Sequence, residues 1–181
     1  PEGVVEAALF AEGLAEAGDV RAAPHIQSLH DVQPTEAEAV TARLAFRLGQ
    51  MELAQNALVS ALLHYRDDPW PSQVSMARAL ALAEELAAAR PDMAPVLEEA
   101  LARPFSVAAL EEPRRLVRLH VASRQALSER CRDAVLGYEP FVPWREDVLR
   151  FRARCYAATR DPRARLAAAD LDEFLRAEPR P

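Results

Sequence analysis

The chain has 181 residues, a net charge of −6 and an isoelectric point of about 5.3, enough for one medium domain or a short repeat array. That acidic balance argues against nucleic-acid binding, which needs a basic face, and no apolar run reaches the ~18 residues of a membrane span. Half of the residues are hydrophobic, mostly alanine and leucine, while only 6% are aromatic and glycine numbers 5; little β-turn chemistry is left, and alanine-rich helices packed closely in pairs fit best.

Proline sets the organisation. Pro34, Pro69, Pro104, Pro143 and Pro179 stand 35, 35, 39 and 36 residues apart, and a period in the thirties is the signature of stacked helical hairpins. Five units follow, at about 1–34, 35–69, 70–104, 105–143 and 144–181. In the first, the pattern predicts a helix over 4–17 with Val5, Leu9 and Leu14 among its apolar positions, a turn at Gly18-Asp19, and a second helix capped by Asp19 that runs to about Val32. Pro24 sits near the start of that second helix and can move its first residue.

In the second unit, Thr35 and Glu38 have capping-box spacing ahead of a helix over 36–48. Gly49 suits a left-handed turn, and the next helix carries Leu53, Ala57, Leu58, Ala61, Leu62 and Tyr65 at three- and four-residue steps before Pro69 stops it. The third unit has Ser72 as N-cap of a helix over 73–89, a turn at Arg90-Pro91, and Asp92 as cap of a helix over 93–102. In the fourth, a helix starts at Ser106, Pro113 kinks or restarts it, and it continues over 114–126. Ser128 is placed to cap the helix that carries Cys131, Val135 and Tyr138. The fifth unit predicts helices over 145–159 and 163–177 around Asp161-Pro162.

These residues resemble the tetratricopeptide repeat (TPR) family, whose unit is about 34 residues long with small residues where its two helices cross. The second unit matches best, with Ala42, Gly49, Ala54 and Ala61 at the small positions and Leu58 at a large one. Ala11 and Ala23 take the crossing positions of the first unit and Cys155 and Ala167 those of the fifth, with Phe174 replacing a later alanine. Cys131 in the fourth and Ala94 in the third also fit, whereas His30, Leu82 and Leu119 depart from the pattern. The resemblance implies an all-α fold: an α-α superhelix, or TPR-like solenoid, of about five antiparallel hairpins. A compact helical bundle is the alternative. The alanine- and arginine-rich style is also similar to helical-repeat tails found after aminopropyltransferase-like (spermidine synthase) domains. The chain starts without methionine and reads as part of a longer protein.

In the TPR family the first helix of each hairpin lines a concave groove that holds a partner. Carried over, the groove of this chain would include Arg43, Phe46 and Arg47, then His120 and Arg124, then Arg152, Tyr156 and Arg160. Arginines flanking an aromatic suit the carboxylates of an acidic protein or peptide. All 22 basic residues are arginine, however, a bias of GC-rich bacterial coding that weighs against reading each one as a recognition residue. The function implied is a non-catalytic interaction or assembly scaffold. The alternative is a C-terminal regulatory or oligomerisation domain of a larger, spermidine synthase-like enzyme, and an independent helical enzyme is a third class.

Other motifs point away from chemistry. His25 and His30 are five apart and do not share a helix face as a metal pair would, and no HExxH or phosphate-binding glycine loop occurs. No catalytic residue, metal or cofactor is expected. Acidic doublets such as Glu84-Glu85 and Glu98-Glu99 read as solvated helix surface. Cys131 and Cys155 match no zinc or redox spacing, so buried free thiols are expected. Trp70 and Trp144 each follow a proline at the start of a unit and serve as packing wedges or partner anchors, the wedge being favoured. A cytoplasmic location is expected.

Overall fold

In the computed structural model, which describes residues 3–177, the proline and glycine punctuation falls where the chain turns. Ten α-helices and no strand are present among the described residues: α1 (Val4–Glu16), α2 (Ala22–His30), α3 (Pro34–Arg47), α4 (Met51–His64), α5 (Gln73–Ala89), α6 (Ala94–Ala100), α7 (Glu111–Ala122), α8 (Glu129–Leu136), α9 (Glu146–Ala158) and α10 (Ala164–Ala177). The fold is all-α. Pro179, the last of the periodic prolines, and the Val5 side chain lie outside what is described.

Several local expectations change. Pro34 does not end a unit but opens α3 as a first-turn residue, where its missing N–H is harmless. The Thr35–Glu38 capping box is therefore absent: Thr35 donates instead to Asp68 (2.7 Å), and Glu38 accepts from Ser60 and lies 2.8 Å from His64. Asp19 binds the Arg21 backbone and side chain, and α2 starts two residues later than expected. Asp92 pairs with Arg90, and a short 3₁₀ turn, Pro91–Met93, precedes α6. Ser106 ties its backbone N–H and hydroxyl to Tyr65 carbonyl oxygen rather than starting a helix, and Pro113 falls in the first turn of a restarted α7. Ser72 does cap α5 through the Ser75 N–H (3.1 Å).

Three of the hairpins close with the same turn. Gly18, Gly49 and Arg160 each stand two residues past the end of α1, α3 and α9, with φ of 69°, 76° and 54°. In each, the next N–H reaches back five residues to a helix carbonyl: Asp19 to Leu14, Gln50 to Ala45 and Asp161 to Tyr156. This is the Schellman closure, which needs one left-handed residue. Glycine supplies it without strain in two hairpins and an arginine supplies it in the third.

The substantial helix–helix packing all lies between helices one or two places apart. α1, α3, α5 and α7 pack side by side in succession, and α2, α4 and α6 fill the other side. Three apolar cores result. The first joins α1–α3 through Ala11, Ala15, Ala22, Leu29 and Val40. The second runs from α3 to α7 around Leu58, Leu62, Tyr65, Leu82, Leu86 and Leu97. The third joins α7–α10. α3 and α7 are the shared walls: α7 gives Val117 and Val121 to the middle core and Leu119 and Ala122 to the last.

The small residues sit at the closest points. Ala42, Ala54, Ala61 and Leu58 are fully buried between α3 and α4, the most extensively packed pair. In the first unit Ala22, not Ala23, is the buried residue, because α2 begins late and its face rotates by one position. Leu53 belongs to the α4 pattern yet points outward. Trp70 is 80% exposed, which overturns its assignment as a wedge: the 65–72 loop carries it away from the stack. Trp144 is half-exposed and meets Phe174 edge-on at 6.1 Å.

The cysteines are joined rather than free. Cys131 of α8 and Cys155 of α9 form a disulfide with their Cα atoms 6.0 Å apart, both buried. The small crossing residues of α8 and α9 face each other within bridging range, a pairing that spacing along the chain does not reveal. Closing a loop between residues 24 apart stabilises the fold by about 3 kcal/mol. Alkylation of the denatured, unreduced protein should therefore leave its mass unchanged, and reduction should lower its stability by about that amount. Two alkylated thiols without reductant would contradict the assignment.

Candidate functional site

The face made by α1, α3 and α5 carries a cleft of about 340 Å³. Its apolar lining is Leu9 from α1, Ala39 and Val40 from α3, and Ala79 and Leu82 from α5. Gly13 lies in the α1 wall, and a Cβ added there would meet nothing within 4 Å. A helix-interior glycine costs about 0.5–1 kcal/mol relative to alanine. No neighbouring atom requires that glycine; what its missing side chain does is keep the cleft open.

Ion pairs cross this cleft. Arg78 of α5 pairs with Glu12 of α1. Arg43 of α3 reaches Glu16 of α1 (3.2 Å) and Glu85 of α5 (2.8 Å), and donates to the Arg78 carbonyl (3.2 Å). Arg47 also pairs with Glu16 and lies over the Phe46 ring, 5.9 Å from its centroid. Arg43, Phe46 and Arg47, the groove residues the family resemblance implied for the second unit, lie together on α3, but Phe46 packs on the middle core and both arginines have carboxylate partners within the chain.

A second cleft, about 360 Å³, lies between α5, α7 and α9 and contains His120 and Arg124. His120 Nδ1 is 2.6 Å from Glu84 of α5, and Nε2 is 3.1 Å from Asp147 of α9. The Glu84 carboxylate, reinforced by Asp147 and opposed by partial burial, holds the imidazole above its ordinary titration range. Burial alone would raise Asp147, yet hydrogen bonds from Arg145 and His120 outweigh it and hold the carboxyl low. Arg124 is exposed.

The remaining expected groove residues do not join this face. Arg152 is 1% exposed and Tyr156 is fully buried. Arg152 binds Glu139 (2.8 Å) and Asp170 (2.5 Å), and the Tyr156 hydroxyl donates to the same Glu139 (2.9 Å). Burial, then that carboxylate, pushes Tyr156 up to about 12. The two are corrected from partner contacts to an internal network that ties α9 to α10 and to the chain after α8. The reason is packing: α9 lies mainly against α10, and Glu139 and Asp170 cover the side of α9 that carries Arg152 and Tyr156. Arg160 is exposed on the left-handed turn after α9.

Sequence reasoning missed the walls of the first cleft, namely Leu9, Glu12, Gly13 and Glu16 of α1 and Ser75, Arg78, Ala79 and Leu82 of α5. The i, i+3, i+4 spacing of both sets is visible along the chain, but nothing in it says that the two helices flank α3. Among the described residues no three His, Cys, Asp or Glu side chains are placed to hold a metal ion, and no helix is long and apolar enough to cross a membrane. Compared with models of protein families, with curated proteins and with solved structures, the chain matches none.

The left-handed arginine gives a direct check on the turn geometry. Arg160→Gly should raise stability by about 1 kcal/mol, since a side chain in that conformation costs ~1–2 kcal/mol. Gly49→Ala at the equivalent turn should lower it by about as much. Urea denaturation measures both, and a destabilised Arg160→Gly would show that the arginine side chain is needed where it stands.

Proposed function

We propose that this chain is a non-catalytic protein-interaction or assembly scaffold that receives its partner on the face of the odd-numbered helices. The observation that carries the reading is the α1/α3/α5 cleft with its glycine-cleared wall. Support for a TPR-like stack comes from the shared hairpin turns, the buried alanine crossings and packing limited to nearby helices. The floor is apolar and the arginines around it already have carboxylate partners, so the fitting partner is a protein segment that brings an apolar side chain, not the acidic peptide the sequence suggested. A buried disulfide persists in oxidising surroundings, and with Cys131–Cys155 in place we assign the domain to such a compartment rather than to the cytoplasm.

A second reading, a regulatory or oligomerisation domain of a larger enzyme, draws on the outer side of the first hairpin. There Phe10 stacks on His25 at 5.9 Å and Val20 is exposed, an apolar patch suited to a neighbouring domain.

Gly13 separates binding from folding. Gly13→Ala should raise stability by about 0.5–1 kcal/mol. Gly13→Trp should keep the helical circular-dichroism spectrum while filling the cleft. Affinity capture with quantitative mass spectrometry should then show partners that are held by the wild type and by an outer-face Leu53→Trp control but lost by Gly13→Trp. Equal capture by all three would rule out the cleft as the partner site.

A further inference from the structure

The two clefts are bridged by the same device with one difference. In the first, a cation on the middle helix holds carboxylates from both neighbours: Glu16 of α1, Arg43 of α3, Glu85 of α5. In the second the pattern repeats two odd-numbered helices along: Glu84 of α5, His120 of α7, Asp147 of α9. A guanidinium stays charged throughout the physiological range, whereas an imidazole changes charge within it. The second bridge also spans a weaker joint. The middle and last apolar cores meet only at α7, and α7 and α9 have no substantial direct packing.

We propose that His120 is a pH-sensitive tie between the α1–α7 stack and the α8–α10 block. With both ring nitrogens protonated, it donates to Glu84 and Asp147 together. When it loses one proton, a ring lone pair faces one of the two carboxylates, and that contact turns from attraction to repulsion. The surrounding charges do not replace it. Arg145 is bound to Asp147 from the same side of the joint (2.9 Å). Arg118 of α7 is directed to Glu98 of α6 and Glu85 is held by Arg43; Arg130 of α8 also crosses the joint, to Glu98 (3.8 Å) and the Pro95 carbonyl (3.2 Å), but it pairs with neither Glu84 nor Asp147 and does not hold α9. Arg124, at the end of α7, lines the cleft. Because the folded state raises the histidine's titration point, the tie is fully present below its ordinary value of about 6.5 and is lost as pH rises through the folded value.

Hydrogen exchange of the full chain from pH 5.5 to 8.5, corrected for intrinsic rates, tests the tie, with the His120 ring followed by NMR. Protection in α9 should fall as the ring titrates, by about tenfold for each unit by which its midpoint exceeds that of an unperturbed histidine. His120→Arg should keep protection high and flat, His120→Gln low and flat, and His64→Gln should behave as wild type. A wild-type protection profile that does not change at the midpoint of the His120 titration would overturn the proposal, whatever the variants do. So would a His120→Arg protein that loses protection with pH as the wild type does.

Discussion

The packing of α1 to α7 rests on how closely α3 and α4 can approach. Ala42 and Ala54 are fully buried, one on each helix of the most extensively packed pair. An alanine crossing brings backbones near enough for Leu58, Leu62 and Tyr65 to reach past it into the middle core. That pair is then the platform on which α1–α2 stack from one side and α5–α6 from the other. Neither flanking hairpin encloses a core of its own: the first apolar cluster needs Ala37 and Val40 of α3, and α5–α6 bury their apolar faces in the middle cluster against Leu58 and Leu62 of α4. Stability is therefore shared between neighbouring helices.

Side-by-side packing of α1, α3, α5 and α7 also sets the electrostatics of their common face. Carboxylates and cations alternate across it, Glu16–Arg43–Glu85 and then Glu84–His120–Asp147, with α5 supplying adjacent glutamates to the two bridges. Such half-exposed pairs add little stability one by one; their effect is to fix the register of neighbouring helices. Past α7 the construction changes. The last block relies on the buried Arg152–Glu139–Asp170 network, on Asp161 held by Arg132 and Arg163, and on the disulfide. A buried ion network specifies geometry while contributing less net free energy than apolar packing of the same volume, and a disulfide is the natural complement to it.

Helix count, helix order and the hairpin turns were legible because their signals are local. A proline stops or starts a helix and a glycine permits a left-handed turn whatever surrounds them, and Gly49, Pro34 and Ser72 all act within a few residues of themselves. The misses are non-local. Thr35 gives up its cap for Asp68, 33 residues on. Arg152 and Tyr156 have the spacing of a helix face, but α10 and the chain after α8 cover that face and bury both. Cys131 and Cys155 look like two unrelated small residues until α8 lies on α9. The candidate site follows the same rule: Arg43 can be named from α3 alone, while Gly13 and Arg78 gain meaning only when α1 and α5 flank it.

The α3–α4 crossing can be tested by enlarging one side chain. Ala42→Leu keeps helix propensity but overfills a site with no exposed surface, so urea denaturation should show a loss of about 1–3 kcal/mol, while Leu53→Ala on the outward side of α4 should stay within ~0.5 kcal/mol. An Ala42→Leu protein as stable as the wild type would mean that α3 and α4 do not meet as closely as described, and the stack built on them would have to be redrawn.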